Sequence, residues 1–298
     1  MENNIFGSWK VSPVLPREGA FLIPELSMLE VTGDDAETFL HGQFTNHIKG
    51  IGDSFRLAAY CQPQGRILAL MRVAKVNDKF FIVLPTELVP GFVKRLTMFI
   101  LRSKVSIRIA SDIAVAGFIN PSVKLPETGK CTFSDGLILG RVADAFGRKR
   151  ALALASIETL KNHFNLIEDS SVWFESEIEA GLPWVFEKTK EAFIPQWINL
   201  DKIGGLVFDK GCYPGQEIIS RVHHIGTNPR CMVKVESAES IDIQAGSDVF
   251  QDTAAVGNVV MSVCDDNKTL ALIEVTNKSL ESGVYKIKNT EFKSKTDY

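Results

Sequence analysis

The chain lacks the features that mark membrane-spanning and exported proteins. No stretch approaches the roughly 20 apolar residues that a membrane-spanning helix needs, and the start, MENNIFGSWK, has no basic region leading into an apolar segment. The formal net charge of −3 over 298 residues gives no overall attraction to nucleic acid or membrane. We therefore expect a soluble cytoplasmic protein without a membrane partner, and only a local basic face is left open.

Paired cysteine motifs are also missing. The five cysteines are an odd number, lie far apart and form no C-x-x-C pair, so neither a zinc knuckle nor a thioredoxin-like motif is indicated. We predict no metal ligand set, and reduced thiols fit best. These residues are Cys61, Cys131, Cys212, Cys231 and Cys264.

The composition is that of a globular protein, with 45% hydrophobic and 23% charged residues and no internal repeat. Helical periodicity after Asp34 predicts an amphipathic helix ending at Gly50, with Asp34 and Glu37 in capping-box spacing. The runs RILALMRVAKV and KFFIVLP predict a hairpin, and PGFVKRLTMFILRS predicts a second helix.

Later segments are less regular. The apolar pattern weakens over residues 120–148, which predicts a surface excursion, before a strand in ALALAS and a helix in IETLKNHFNL. From about residue 230 only short β-rich runs remain, which predicts a separate sandwich or barrel.

The most informative stretch is DKGCYPGQE, residues 209–217. Pro214 predicts a helix over PGQEIISRVHH that stops near Gly226, with Cys212 just before it. The positive end of that helix and Lys210 would then both favour a thiolate. Alternatively, Gly211 and Gly215 permit a sharp turn and Cys212 fills a small hole. Local chemistry leaves both interpretations open.

A wider context favours the first interpretation. Residues 193–221, FIPQWINLDKIGGLVFDKGCYPGQEIISR, closely resemble the signature of the YgfZ family, folate-binding relatives of the glycine cleavage aminomethyltransferase, the T-protein. The family word K-G-C-Y-x-G-Q-E is complete from Lys210 to Glu217. LHGQFTNHI, LAAYCQPQGRI and IEAGLPWV resemble three further family segments.

The resemblance implies an α+β fold of three small domains in a ring, two of them α/β or α+β and one a C-terminal β-barrel-like domain, around a central folate site. The predicted boundaries are 1–230 for a folate-binding region of two intertwined α/β subdomains and 231–298 for the barrel-like domain.

The resemblance also assigns site residues. It implies that Cys212 and Lys210 act on the substrate, and that a folate site is lined by Trp173, Tyr213, Gln216, Glu217, Gln43, Thr45, Arg66 and Arg221. The thiolate could attack an electrophilic one-carbon unit, hold a transient iron or sulfur species, or resolve an oxidised adduct.

Several of these assignments have a plainer interpretation. Trp173 would stack on the folate, or anchor a core helix. Gln43, Thr45 and Arg66 would line the cavity or satisfy backbone groups, and Cys61 fits a buried thiol. Leu26 stands where the family has a second folate-site tryptophan.

Three functions are compatible with these residues and with the family resemblance. The resemblance implies first a tetrahydrofolate-dependent accessory factor in iron–sulfur cluster assembly or repair, with iron–sulfur proteins as partners and indirect effects on tRNA modification. A second is a tetrahydrofolate-dependent aminomethyltransferase, although the catalytic carboxylate of those enzymes is not recognisable. A third is a tRNA-binding adapter, with Arg221, His223, His224 and Arg230 as a small basic edge.

Overall fold

The structure, a computed structural model, describes residues 6–224, 226 and 228–295. Strands dominate it. The strands are β1 (Ser8–Lys10), β2 (Gly19–Leu22), β3 (Leu26–Thr32), β4 (Arg56–Cys61), β5 (Ile67–Val76), β6 (Lys79–Pro85), β7 (Ser106–Ile109), β8 (Ala114–Ile119), β9 (Cys131–Ser134), β10 (Leu137–Ala145), β11 (Arg148–Ala155), β12 (Leu166–Ile167), β13 (Arg230–Ser237), β14 (Asp248–Gln251), β15 (Ala254–Cys264), β16 (Thr269–Thr276), β17 (Val284–Ile287) and β18 (Thr290–Ser294).

The helices are short. They are α1 (Ala36–His41), α2 (Val89–Thr97), α3 (Ile157–His163), α4 (Ser171–Glu179) and α5 (Gln216–His224). Single 3-10 turns cover Thr86–Leu88, Glu187–Thr189, Pro195–Ile198 and Asn277–Ser279. No helix in the described part of the chain is long and apolar enough to cross a membrane.

The first sheet is antiparallel, in the order β4-β5-β6-β3-β7. It contains the predicted hairpin of β5 and β6, closed between Val76 and Lys79. The loop residue Asn77 has a φ of 54°, a conformation that asparagine tolerates. The predicted helix after Asp34 is much shorter than expected. Glu37 accepts hydrogen bonds from Gly50 and Lys75 instead of completing a capping box.

The second sheet has the order β12-β2-β8-β11-β10-β9. The prediction of a surface excursion over residues 120–148 was wrong, since β9 and β10 lie within it. Gly140 interrupts the apolar pattern of β10, yet it is a contact point: a Cβ there would lie 2.4 Å from Cδ1 of Phe55. A neighbouring element supplies the packing that the local sequence lacks.

The third sheet is a closed barrel. β13 to β18 pair in the order β15-β14-β17-β18-β13-β16, and β15 pairs with β16 to close the ring. The predicted barrel-like C-terminal region is therefore confirmed, as is the mixed fold class. β1, near the N-terminus, adds to the barrel by parallel pairing with β15.

Helix α4 is buried from Ser171 to Ile178. It packs against β8 and β10 of the second sheet and against β1, β15 and β16 of the barrel assembly. This helix therefore ties two of the sheets together, and Trp173 lies on it.

Candidate functional site

The signature segment turns sharply at Gly215. Its φ is +84°, and a Cβ there would lie 2.6 Å from the carbonyl oxygen of Gln62 and 2.8 Å from Cα of Gly65. Both the left-handed backbone and the close approach require glycine. Gly211 has open space around it and no positive φ. Of the two glycines assigned to the turn, only Gly215 is needed for it.

Lys210 anchors the same segment. Its Nζ donates to the carbonyl oxygens of His41 and Phe44, each at 2.7 Å, and lies 4.5 Å from the ring centroid of Tyr213. Burial lowers the pKa of the Lys210 ammonium to about 8, and the neighbouring Cys212 offsets part of that fall. These contacts tie the signature segment to the loop after α1.

Cys212 differs from the other cysteines. It is exposed, whereas Cys61, Cys131, Cys231 and Cys264 are buried. Burial raises the pKa of the Cys131 thiol to about 11 and that of Cys61 further still. The helix begins at Gln216 rather than Pro214, so Cys212 is separated from it by Tyr213, Pro214 and Gly215. The interpretation of Cys212 as a buried filler was wrong, and the predicted contact with the helix start is more distant than expected.

The rest of the signature divides into buried and exposed groups. Tyr213 is buried, its hydroxyl has no hydrogen-bond partner, and burial raises its pKa. Gln216 donates through Nε2 to the carbonyl of Lys210 at 3.3 Å, which closes the loop around Cys212. Glu217 and Arg221 are exposed on α5.

Gln196 supports this helix and was missed by sequence reasoning. It is buried, and its Nε2 donates to the carbonyl of Ile219 at 2.7 Å. Its position in the family-like segment FIPQWINL is the only sequence signal it carries.

Residues 44–47 run beside 204–210. Val207 donates its backbone N–H to Thr45, and Asn46 Nδ2 donates to Gly204 at 2.8 Å. Thr45 Oγ1 donates to Gly205 at 2.7 Å and accepts from Ala59 at 2.8 Å. All polar groups of the fully buried Thr45 side chain are therefore used within the protein. Its predicted place in the ligand site stays a prediction, and its observed contacts are structural.

Gln43 and Arg66 lie in different settings. Gln43 Oε1 is buried without a hydrogen-bond partner. Arg66 donates through Nη1 to the carbonyl of Ala192 at 2.5 Å, and its guanidinium lies 4.6 Å from the ring centroid of Trp197. Arg66 thus braces the segment before the signature, while Gln43 retains a free acceptor.

Histidines surround the signature loop. His47 Nε2 lies 2.9 Å from Asp209 Oδ1, and the rings of His41 and His47 are 5.7 Å apart. His223 stacks on Phe208 with centroids 3.7 Å apart. His41 and His47 were not recognised in the sequence, although both lie in LHGQFTNHI.

The basic edge predicted after the signature is smaller than expected. Arg230 pairs with the buried Glu274 through two nitrogens, and its guanidinium lies 5.3 Å from the Trp197 ring centroid. Arg221, His223 and His224 remain exposed on α5.

Trp173 is fully buried, and its ring fills the space over Gly117, where a Cβ would lie 2.2 Å from Cε3. The Arg150 guanidinium lies 4.9 Å from the ring centroid, and Arg150 pairs with Glu177 at 2.8 Å. The indole N–H has no hydrogen-bond partner. Trp173 is a core residue with one unsatisfied donor, and its role in folate stacking stays a prediction. Leu26 is also buried in this core.

A cavity of about 370 Å³ lies between the first and second sheets. We call it the arginine cavity, because Arg56, Arg72 and Arg141 line it together with Asn46 and Gly204. None of the described residues that line it is acidic.

Arg72 is the unusual member of this set. Its Nε is buried without a hydrogen-bond partner, and burial lowers its pKa to about 10. The nearby Glu177 favours the Arg72 charge but is hydrogen-bonded to Arg150. Arg141 donates to the carbonyls of Val142 and Arg150 and pairs with Asp144. Arg141 and Arg150 thus each have a carboxylate partner, whereas Arg72 shares Glu177 with Arg150, and an anionic group in the cavity would balance the Arg72 charge.

Sequence reasoning missed Arg72 and Arg141. A signal was present, since each interrupts an apolar strand, in ILALMRVAKV and LILGRVADA. The pairing of residues 44–47 with 204–210 connects this cavity to the signature loop. Lys210 is six positions after Gly204, which limits the span of that chain to about 21 Å.

Proteins of similar sequence can be aligned with most of the chain. A Haemophilus influenzae protein described as uncharacterized is 31% identical over 269 residues, 87% of this chain and 89% of the relative. Proteins named tRNA-modifying protein YgfZ from Enterobacter sp. and Cronobacter sakazakii are 26% and 28% identical, over 90% and 88% of this chain and 88% and 85% of their own lengths. The chain belongs to the YgfZ family.

The YgfZ assignment confirms the resemblance carried by the word from Lys210 to Glu217. A solved structure, the glycine cleavage system aminomethyltransferase T from Bartonella henselae, matches with a TM-score of 0.69 over 92% of this chain and 83% of that one. Its sequence identity is 13%, so the likeness is one of fold. No family model matches the chain.

Proposed function

We propose that this YgfZ protein is a folate-dependent accessory factor in iron–sulfur cluster assembly or repair, with Cys212 as its working thiol. The observation that carries the proposal is the exposure of Cys212 on a loop held by Lys210, Gln216 and Gly215, while the other cysteines are buried. A thiolate is a soft ligand for iron and a nucleophile toward sulfur or carbon. Iron–sulfur proteins or their assembly machinery are the proposed partners.

The arginine cavity supports the folate part of this proposal. Its volume of about 370 Å³ lies within the usual range for small-molecule pockets. Arg72 has an unsatisfied donor there, and guanidinium groups pair well with carboxylates such as those of a folate tail. When bound, a tetrahydrofolate would supply a one-carbon carrier. In this proposal Arg72 and Arg56 hold its anionic part, while Arg141 stays paired with Asp144, and the signature loop presents Cys212.

Aminomethyl transfer is the weaker alternative. A carboxylate close to the folate is expected for that chemistry, and the described lining of the arginine cavity contains none. A tRNA-binding adapter is disfavoured by the net charge of −3 and by the ion pair that occupies Arg230. Tight, salt-sensitive binding to tRNA together with weak folate binding would favour the adapter. The unpaired cysteines support a reducing cytoplasm as the place of action.

The test is complementation of a bacterial strain that lacks its own YgfZ protein, with iron–sulfur enzyme activities as the readout. We expect Cys212→Ser to bind tetrahydrofolate and yet fail to restore these activities, because a hydroxyl is neither a thiolate nor a soft ligand at neutral pH. Cys264→Ser is the matched control and should restore them. Full rescue by Cys212→Ser would contradict the proposal.

A further inference from the structure

A second cavity, of about 250 Å³, lies among α2, β4, β5 and residues 190–191. It shares no lining residue with the arginine cavity. We call it the Tyr60 cavity. Its apolar wall is formed by Leu68, Leu88 and Phe92, which belong to the core of the first sheet.

Two donors without an acceptor meet at this cavity. Nε of Arg95 is buried without a hydrogen-bond partner, and the proton of the buried Tyr60 hydroxyl has no acceptor. The two groups are neighbours: burial raises the pKa of Tyr60, and the Arg95 guanidinium opposes that rise by its charge and by a hydrogen bond to the hydroxyl oxygen. Each unsatisfied buried donor costs about 1–3 kcal/mol. Since both groups can donate, the group that would satisfy them is an acceptor.

The charge of the residues that line the cavity also favours an anionic acceptor. Lys94, Arg95 and Lys190 line it against one carboxylate, that of Glu191. Lys190 pairs with Glu187 at 2.6 Å, but Lys94 and Arg95 have no ion pair among the described residues. The cavity is therefore positive on one side and apolar on the other.

We propose that the Tyr60 cavity binds a small amphipathic anion, a carboxylate or phosphate monoester with a single-ring body. The ring packs on Phe92 and Leu88, and the anionic oxygens accept hydrogen bonds from Tyr60 and Arg95. The volume suits such a ligand, since cavities of about 150 Å³ already hold benzene. Arg95 lies on α2 and is partly exposed, so its side chain can move to admit the anion.

This site is independent of the proposed folate function. Tyr60 precedes the turn that Gly215 contacts, but none of the lining residues belongs to the signature word. Loss of binding here should leave tetrahydrofolate binding unchanged, so the two proposals can fail separately.

The probes are 4-fluorobenzoate, 4-fluorophenyl phosphate and the neutral 4-fluorobenzyl alcohol, observed by fluorine NMR on the full chain. We expect at least one anion to bind saturably and the alcohol to bind roughly tenfold more weakly or worse, because it lacks the charged acceptor. The better of the two anions identifies the head group. Failure of both anions, or equal binding of the alcohol, would overturn the proposal.

Variants locate the site. Arg95→Gln and Tyr60→Phe should each weaken binding of the anion by roughly tenfold, the effect of one lost charge-assisted hydrogen bond. Arg56→Gln, in the arginine cavity, is the matched control and should have no effect. If Arg56→Gln weakens binding of the anion and Arg95→Gln does not, the probe occupies the arginine cavity and the proposed site in the Tyr60 cavity is refuted.

A second measurement separates ligand binding from folding. Without ligand, Tyr60→Phe should change the melting temperature little, because the buried hydroxyl accepts from Arg95 but has no acceptor for its own proton. Tyr285→Phe is the comparison and should lower it, since the Tyr285 hydroxyl donates to Ser279 at 3.3 Å. If both variants lose stability alike, the Tyr60 hydroxyl proton has an acceptor within the protein and is not available to a ligand.

Discussion

Gly215 of the signature turn lies against the backbone of Gln62, so that a single added carbon would come within 2.6 Å of the Gln62 carbonyl oxygen. Two segments that are far apart in the sequence thus form one unit: the turn between β4 and β5, and the loop that carries Cys212. The exposed Cys212 thiol is positioned by this contact and by the Lys210 anchor.

Replacement of Gly215 by alanine should destabilise the protein by about 1–3 kcal/mol, because it combines a left-handed backbone with a backbone clash. Gly211→Ala is the control and should be nearly neutral, since nothing lies within 4 Å of its added carbon. Urea unfolding of both variants measures the difference. Equal losses would mean that the signature turn does not pack on Gln62.

Lys210 should make stability depend on pH above neutrality. Its pKa is about 8 in the folded protein and near 10.5 when unfolded, so the unfolded chain binds more protons between these values. The free energy of unfolding of the wild type should therefore rise, relative to Lys210→Met, as the pH increases from 8 to 10.5. Below pH 8 the difference should be constant. A difference that falls over the same range would contradict the burial of this ammonium.

Arg72→Met should weaken tetrahydrofolate binding by roughly tenfold or more, the effect of losing a charge-assisted hydrogen bond to the ligand. The same change should leave the melting temperature unchanged or raise it, because it removes a buried charge whose Nε has no partner. Calorimetric titration and thermal unfolding test the two halves. Arg102→Met, an exposed arginine elsewhere, is the control. Unchanged affinity in Arg72→Met would exclude this cavity as the folate site.

Alkylation should modify Cys212 before the other cysteines. In the folded protein we expect iodoacetamide to label it faster by roughly tenfold or more, because the remaining thiols are buried and buried thiols are unreactive. Mass spectrometry of peptides after a short exposure gives the order of labelling. Early labelling of Cys131 or Cys264 would show that the barrel or the second sheet opens more readily than the structure indicates.

The sequence by itself determined the family, the mixed fold class, the barrel-like C-terminal region and the hairpin of β5 and β6. It could do so because signature words and strand alternation are local properties, carried by consecutive residues such as those from Lys210 to Glu217. It also identified Cys212 as the thiol to examine: local chemistry left exposure and burial open, and the family resemblance favoured an accessible thiol.

Only the tertiary structure decided the rest. It placed β1 on the barrel, brought Phe55 over Gly140 to complete the strand β10, and put Arg72 beside a cavity whose described lining residues include no acid. Each of these depends on residues that are distant in the sequence, so no local pattern reports them. The same reason explains the two glycines of the signature. Gly211 and Gly215 look alike in the sequence, and only the contact with Gln62 shows which of them the fold requires.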